Sequence, residues 1–273
     1  MISWDKVDNK KEKNILLILI GLLILILIPY IIIINNKIQT STYVSQALEI
    51  VEKNEETVFS VEKIYICNSA NAVYSSSDAS DKNLGIYQYS DIAIYLNNYQ
   101  DENGLTNKNT VKELYIDNIE ISIDENDGIQ SLSYINSLEI GSKEIAPVYT
   151  QTDRIDFNIV YTNDDNESAN YDDPTFYTDC SNPITLRYIN NLSTEYVLED
   201  DTSSSFDGSI LEDAGISVDE IACSIKFKIN IVNNDGEEYS CWLNFSLPLS
   251  DIYEGTTIKT ASFSGTAYNF FAL

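Results

Sequence analysis

The residues in this chain that could do chemistry are mostly carboxylates, and they are densest in one short stretch. Asp164, Asp165, Glu167, Asp172 and Asp173 place five carboxylates within ten residues, with no basic residue among them. Crowding like charges is unfavourable unless solvent or a cation screens them. Oxygen ligands of this kind are the ones that Ca²⁺ takes in proteins. The stretch therefore predicts either a solvated acidic loop or a calcium site, and calcium is the one cofactor that the sequence suggests.

A second oxygen-rich segment, DENDG at 124–128, resembles the start of a calcium loop. Its glycine falls at the fifth position of the loop, and Ile135 stands at the twelfth, where an EF-hand needs Glu. The segment therefore does not fit an EF-hand.

Histidine is absent from the chain. This excludes Ser-His-Asp and Cys-His catalysis and histidine-containing zinc sites. The nucleotide-binding and hydrolase motifs GxxxxGK[ST], GxGxxG and GxSxG are also missing. We therefore expect a protein that is not an enzyme, with glycoside hydrolysis by two carboxylates as the chemistry that the sequence leaves open.

Aromatic residues provide the other candidate site. The chain has 19 Tyr and two Trp, and Trp242 lies on the polar side of a predicted strand, where it would face solvent. An exposed indole beside carboxylates is typical of a sugar-binding surface, although tyrosine is also a favoured strand residue. Trp242 is therefore the predicted ligand-binding residue.

A membrane anchor is predicted near the N-terminus. Residues 15–34, from Ile15 to Ile34, carry no charge and are long enough to cross the hydrocarbon core of about 30 Å. Lysines cluster in residues 1–14, before the span, and only Lys37 follows closely. By the positive-inside rule, residues 1–14 form a short cytoplasmic tail and residues 35–273 lie outside the cytoplasm.

A helical stalk is predicted at 35–56. Val44, Ala47, Leu48 and Val51 fall at helical spacing and form an apolar stripe. This stripe must pack on the outer domain, on another protein or on a second copy of the chain.

The remaining residues, 57–273, predict a mainly β domain, an antiparallel β-sandwich or jelly-roll-like fold. Acidic stretches at 163–173 and 199–207 read as loops, and either could contain a further domain boundary. A short helix is predicted near Ser209–Ala214. The strand candidates are Val58–Cys67, Ile86–Leu96, Val111–Ile123, Ile129–Ile140, Ile155–Thr162, Ile184–Ile189, Glu195–Leu198, Ile221–Val232, Glu238–Leu247 and Thr256–Phe263.

One hairpin can be predicted in register. The sequence NNDGE at 233–237 predicts a three-residue loop with Gly236 in a left-handed conformation. An apolar face then forms from the pairs Ile231–Tyr239, Ile229–Cys241, Phe227–Leu243, Ile225–Phe245 and Cys223–Leu247.

That register constrains the cysteines. Cys223 and Cys241 would lie roughly 20 Å apart along the ribbon at ~3.4 Å per residue, too far for a disulfide. Either residue could pair with Cys67 or Cys180, or all four could be buried free thiols.

The charge balance excludes one class of partner. The chain has 16 basic and 43 acidic residues, so it would repel a phosphate backbone, and we expect no nucleic-acid partner. Two functions remain. The first is a membrane-anchored envelope protein whose outer domain contacts other proteins. The alternative is a surface-tethered module that binds carbohydrate or another ligand, with or without calcium.

Overall fold

The computed structural model describes residues 58–74, 83–100, 104–123, 129–142, 153–161, 173–197, 207–248, 251–255, 257–260 and 269–272. The predicted tail, membrane span and stalk, residues 1–56, lie outside this set, as does the segment 124–128. No helix within the described residues has the length and apolar character needed to cross a membrane. Residues 57–273 form one compact unit.

This unit is mainly β, as the sequence predicts. Two short helices, α1 (Ser209–Asp213) and α2 (Val218–Ile221), occur within the described residues, with 3-10 turns at Asn107–Asn109, Ser137–Glu139 and Ile252–Glu254. The described strands are β1 (Phe59–Tyr74), β2 (Asn83–Asn98), β3 (Val111–Ile123), β4 (Ile129–Tyr134), β5 (Arg154–Val160), β6 (Thr175–Tyr177), β7 (Ile184–Val197), β8 (Cys223–Asn233), β9 (Glu238–Leu247), β10 (Thr257–Thr260) and β11 (Phe271–Ala272).

The strands form two sheets. The five-stranded sheet has the order β10-β1-β2-β7-β4, and the six-stranded sheet has the order β11-β9-β8-β3-β5-β6. The described strand pairs are antiparallel except for β5 and β6, which run parallel. A wholly antiparallel domain was the expectation from sequence and is wrong at this pair. The connection from Val160 to Thr175 is long enough to return the chain to the same end of the sheet.

One hydrophobic core joins the two sheets in a sandwich-like arrangement. Alternate residues of β1, β2 and β7 meet alternate residues of β3, β8 and β9, as the period of two along a strand requires. Phe59, Ile64 and Leu186 come from the five-stranded sheet, and Phe227 and Ile229 from the six-stranded sheet.

A second core covers the far end of the five-stranded sheet. Residues of α1, α2 and the turn at Ile252–Glu254 pack there with Ala70, Ile86 and Leu192. The approach is close at Gly208, where a Cβ would lie 1.8 Å from the carbonyl oxygen of Ile252. Only glycine fits at this position.

The predicted hairpin is confirmed in every pair. β8 and β9 align Ile231 with Tyr239, Ile229 with Cys241 and so on to Cys223 with Leu247. Gly236 has a φ of +84°, which glycine adopts without the steric cost paid by other residues. The turn residues, together with the alternation of apolar and polar residues, therefore determined the register of β8 and β9.

Other boundaries differ from the sequence prediction. The predicted strand Ile129–Ile140 ends at Tyr134, because the Asn136 side chain accepts a hydrogen bond from the Leu138 amide and starts a 3-10 turn. The candidate Ile184–Ile189 and residues 195–197 of the candidate Glu195–Leu198 belong to one strand, β7, whose pairing with β2 shifts register between Gly85 and Ile86. The predicted helix at Ser209–Ala214 is confirmed as α1.

Candidate functional site

The predicted acidic site falls largely outside the described residues. Asp164, Asp165, Glu167 and Asp172 are not among them, and Asp173 is exposed immediately before β6, where its carbonyl oxygen accepts a hydrogen bond from Thr175. No group of three or more metal-binding side chains occurs in the part of the chain that is described. Calcium binding at 164–173 stays a prediction.

Trp242 lies on the outward face of the six-stranded sheet and is half-buried. The register places it opposite Lys228, which in turn pairs with Asp117 on β3. Asn230 lies two residues along β8 and pairs with Tyr115. We call this face the outer platform. Its members are Tyr115, Asp117, Lys226, Lys228, Asn230 and Trp242.

Two basic side chains lie over the aromatic rings of the outer platform. Lys226 Nζ lies 4.6 Å from the centre of the Trp242 ring and 3.5 Å from a carboxylate oxygen of Glu120. The Arg154 guanidinium lies 3.7 Å from the centre of the Tyr115 ring. Contacts of this type attract the cation to the ring face, so a basic side chain covers one face of each ring.

Asn230 forms a polar floor between these rings. It is only 3% exposed although it faces outward. Its Nδ2 donates a 2.9 Å hydrogen bond to Asp117 Oδ1. A carboxylate oxygen accepts from an amide nitrogen, which fixes the orientation of the amide. Asn230 Oδ1 therefore points away from Asp117, and it has no hydrogen-bond partner among the described residues.

The five-stranded sheet carries a different feature on its outward face. Residues 135–142, which we call the strap, turn back over this face after β4. Thr185 donates a side-chain hydrogen bond to the carbonyl oxygen of Ile135. The Gly141 amide donates to Asp91 Oδ2 at 2.7 Å. Arg187 donates to the carbonyl oxygens of Glu139 and Ser142 at 3.2 and 3.3 Å.

A buried ion pair secures the strap. Arg187 Nε lies 2.6 Å from Asp91 Oδ1, and its Nη2 lies 2.8 Å from Oδ2. The side chains are 2% and 0% exposed. Burial alone would lower the pKa of Arg187, but the hydrogen bond and charge of Asp91 outweigh it and the net pKa is raised. Arg187 therefore stays charged, and the pair is bidentate.

The strap displays a hydrophobic side chain to solvent. Leu138 is 81% exposed. Its amide is held by the Asn136 side chain at 2.9 Å, and the Glu139 amide donates to the Asn136 carbonyl oxygen at 2.9 Å. Leu138 is thus presented on a turn that local hydrogen bonds and the ion pair both fix.

A buried polar row separates the two hydrophobic cores. On the inward face of the five-stranded sheet, Ser90 donates to Asn68 Oδ1 at 2.6 Å, and Gln88 donates to Ser90 at 3.3 Å. Gln130 donates to Asn190 at 3.4 Å in the next position across the sheet. Sequence reasoning missed this row. The signal was Asn68 in the sequence CNSAN at 67–71, a polar residue at an inward position of β1 between Ile66 and Ala70.

The cysteines are free and buried. Burial raises the pKa of Cys67 to about 11, with a smaller contribution from Asp91, and raises that of Cys241 to about 12. Burial also raises the pKa of Cys180 and of Cys223. All four side chains are therefore protonated thiols at neutral pH and poor nucleophiles. The sequence left both disulfides and free thiols open for the four cysteines, and in the structure all four are free thiols.

Comparison with known proteins identifies no relative for this domain: the chain matches no protein-family model, no curated protein and no solved structure.

Proposed function

We propose that this protein is a membrane-anchored, non-enzymatic envelope component whose outer domain contacts other proteins. The span from Ile15 to Ile34 holds it in the membrane, with residues 1–14 in the cytoplasm and the domain of residues 57–273 outside. The apolar stripe of the stalk at 35–56 provides a second contact, with a partner or with another copy of the chain.

The observation that carries the proposal is the exposure of Leu138 on a fixed turn. Keeping a leucine side chain in water forgoes roughly 1.5–3 kcal/mol of burial free energy. A single exposed leucine is common on protein surfaces and by its exposure alone needs no explanation. Here the turn is ordered by Asn136 and anchored through Arg187. A pre-ordered anchor loses little conformational entropy on binding, which favours a docking role.

Charge defines the kind of partner. Leu138 is followed by the exposed carboxylate of Glu139, and the chain as a whole has a net charge of −27. The partner surface that fits is therefore an apolar pocket with a basic rim. Association of such surfaces weakens with salt, because ions screen the exposed charges.

Two observations support a non-enzymatic role. The chain has no histidine, and the four cysteine thiols are buried with raised pKa values. Neither general-base catalysis by imidazole nor attack by a thiolate is available to this chain at neutral pH.

Photo-crosslinking in intact cells tests the docking role. A photoreactive residue is placed at Ser137 in the full-length protein, with Leu138 retained or changed to Ser. We expect a discrete crosslinked protein with Leu138, and roughly tenfold less adduct with Leu138→Ser, equivalent to about 1.4 kcal/mol of binding energy.

The matched control is at Leu105, which is 45% exposed. A photoreactive residue at Thr106, with Leu105 or with Leu105→Ser, should give the same background labelling in both forms. Equal labelling at Ser137 with and without Leu138 would contradict the proposal.

Orientation has its own test. Protease added outside intact cells should cleave the outer domain. Protection of the domain while other surface proteins are cleaved would show that the orientation is wrong.

A further inference from the structure

We infer that the outward face of the five-stranded sheet carries a second protein contact, a shallow apolar patch that receives a hydrophobic side chain from a basic protein surface. We call it the Gly85 patch, and its members are Val73, Gly85, Tyr87, Ile129 and Val197. The patch lies on the same sheet face as the strap but shares no residue with it. It therefore goes beyond the Leu138 contact, and each can fail without the other.

The strand pairing places these residues on one face of the sheet. Tyr87 of β2 pairs with Asn191 of β7, which in turn pairs with Ile129 of β4. Two residues along β2, Gly85 pairs with Val73 of β1. Residues that stand opposite each other in a sheet point to the same side, and alternate residues of a strand do so as well.

The same face continues to Val197, which pairs with Asn83. Along Asn83–Tyr87 the odd-numbered residues are partly exposed, whereas Leu84 and Ile86 between them are fully buried in the second core. The Gly85 patch is therefore the solvent side of the sheet where the second core covers its inward side.

The aliphatic members of the Gly85 patch are open to solvent. Val73 is 46% exposed, Val197 55% and Ile129 61%. Counted at ~3.4 Å per residue and ~4.8 Å per strand, the three lie within ~16 Å of one another. Single exposed hydrophobic residues are normal, whereas a group of them marks an interaction site. Their β-branched side chains are stiff at χ1, so little conformational entropy is lost when a partner covers them.

Gly85 makes the centre of the patch concave. A Cβ at this position would meet Tyr87 Cε2 and the carbonyl oxygen of Val73 at 3.8 Å, which is ordinary van der Waals contact. Gly85 is also not one of the glycines with a positive φ. Neither packing nor backbone conformation therefore requires glycine here. A glycine inside a strand weakens the strand and often marks the close approach of a ligand or another chain, so the missing side chain leaves room for one from a partner.

Charge selects the kind of partner. Three connecting segments, 75–82, 124–128 and 198–206, adjoin the strand ends at the patch, and by sequence they contain eight carboxylic acids and one lysine. These segments are not part of the patch, but their charges make the potential around it negative. A hydrophobic side chain surrounded by Lys and Arg fits this field. A second copy of the chain, with a net charge of −27, and an anionic lipid surface are both repelled.

Photo-crosslinking in intact cells tests the inference. A photoreactive phenylalanine derivative replaces Tyr74, an exposed residue next to Val73, in the full-length protein with Leu138 unchanged. Mass spectrometry identifies the crosslinked protein and the peptide of that protein that carries the adduct. We expect one discrete protein adduct, on a peptide in which Lys and Arg outnumber Asp and Glu.

Variants assign the adduct to the patch. Gly85→Val fills its centre and should reduce the adduct roughly tenfold, equivalent to about 1.4 kcal/mol of binding energy. The fold should tolerate this change, because valine is a favoured strand residue and a Cβ has room at Gly85, and urea unfolding checks it. Ser246→Val is the matched control, since it adds the same side chain at an exposed position of β9 on the other sheet. It should leave the adduct unchanged.

Val197→Ser keeps the test decisive if Gly85→Val fails to fold. It changes an exposed side chain and should also reduce the adduct. Three outcomes would overturn the inference: no protein adduct from position 74, equal adduct in the parent and in the folded patch variants, or an adduct to a second copy or to an acidic peptide. An adduct from position 74 that depends on Gly85, in cells where Ser137 gives none, would support the patch and contradict only the Leu138 contact.

Discussion

Arg187 on β7 donates to both carboxylate oxygens of Asp91 on β2, and the two side chains are paired across neighbouring strands while almost fully removed from solvent. The same guanidinium also bonds to two carbonyl oxygens of the strap. One ion pair thus fastens the strap, and with it Leu138, to the sheet. This makes the pair a structural requirement for the proposed docking contact.

Breaking this pair should destabilise the domain strongly. Arg187→Met leaves the Asp91 carboxylate buried without its partner, and we expect a loss of about 3–5 kcal/mol in the free energy of unfolding. The double variant Asp91→Leu/Arg187→Met removes both charges and should lose much less. Urea unfolding of the four members of this double-mutant cycle measures the difference. Equal losses in the single and double variants would contradict the role of the pair.

The same variants connect stability to the proposed contact. If the double variant folds but releases the strap, the crosslink from Ser137 should weaken even though Leu138 is unchanged. Retention of the full crosslink would show that the strap keeps its place without the pair.

Two buried serines of the five-stranded sheet form a matched pair, with Ser90 in the buried polar row and Ser131 on the opposite face of the sheet. Ser90 is fully buried and links Asn68 to Gln88. Ser131 is 1% exposed, and its Oγ lacks a partner within the described residues. Ser90→Ala should therefore cost about 1–2 kcal/mol, whereas Ser131→Ala should be neutral or slightly stabilising. Urea unfolding at one pH compares them, and an equal cost at both positions would be inconsistent with the row.

The free energy of unfolding should depend on pH because the pKa of Glu237 is lower in the folded state than in the unfolded state. Hydrogen bonds from Tyr239, and then from Asn233, lower the pKa of this exposed carboxyl below its ordinary value. A lowered folded-state pKa stabilises the fold above the unfolded-state pKa, and this contribution disappears as the pH falls through the folded-state value. Because the group is exposed, we expect no more than about 1 kcal/mol.

The measurement for Glu237 is urea unfolding from acidic to neutral pH. Glu237→Gln should be less stable than the parent at neutral pH, and the two curves should converge in acid. Tyr239→Phe removes the largest contribution and should reproduce most of the change. A gap between parent and Glu237→Gln that persists in acid would exclude the carboxylate as its cause.

The cysteines should be unreactive until the domain unfolds. Burial raises their pKa values, to about 11 for Cys67 and about 12 for Cys241, so little thiolate is present at pH 8. Iodoacetamide should add no label to the native protein and four labels in urea without a reductant, as read by mass spectrometry. Two labels in urea would reveal a disulfide and contradict the free-thiol state.

The sequence by itself determined those parts of the fold that depend on residues close together in the chain. The turn residues around Gly236 and the alternation of apolar residues in Cys223–Asn233 were enough to set the β8–β9 register. The helix at Ser209–Asp213 and most strand positions follow from the same kind of information. A shift of one residue would have exposed every inward side chain of the hairpin, which is why the sequence permits only one register.

The outward position of Trp242 also came from that alternation. The same register places Lys226 and Asn230 on the face of Trp242. Tyr115 and Asp117 join that face only because β3 lies beside β8, which the sequence did not predict. The anchor, the orientation and the acidic stretch at 164–173 rest on sequence alone.

Tertiary structure alone decided which distant residues meet. Asp91 and Arg187 are 96 positions apart, and nothing in the periodicity of either segment identifies the other as its partner. The strap interrupts a predicted strand because Asn136 caps the turn and the ion pair holds it, and the parallel β5–β6 pair depends on the path of a long connection. Alternation and turn chemistry act over a few residues, whereas strand order is selected by the packing of the whole core, and this is the physical reason for the division.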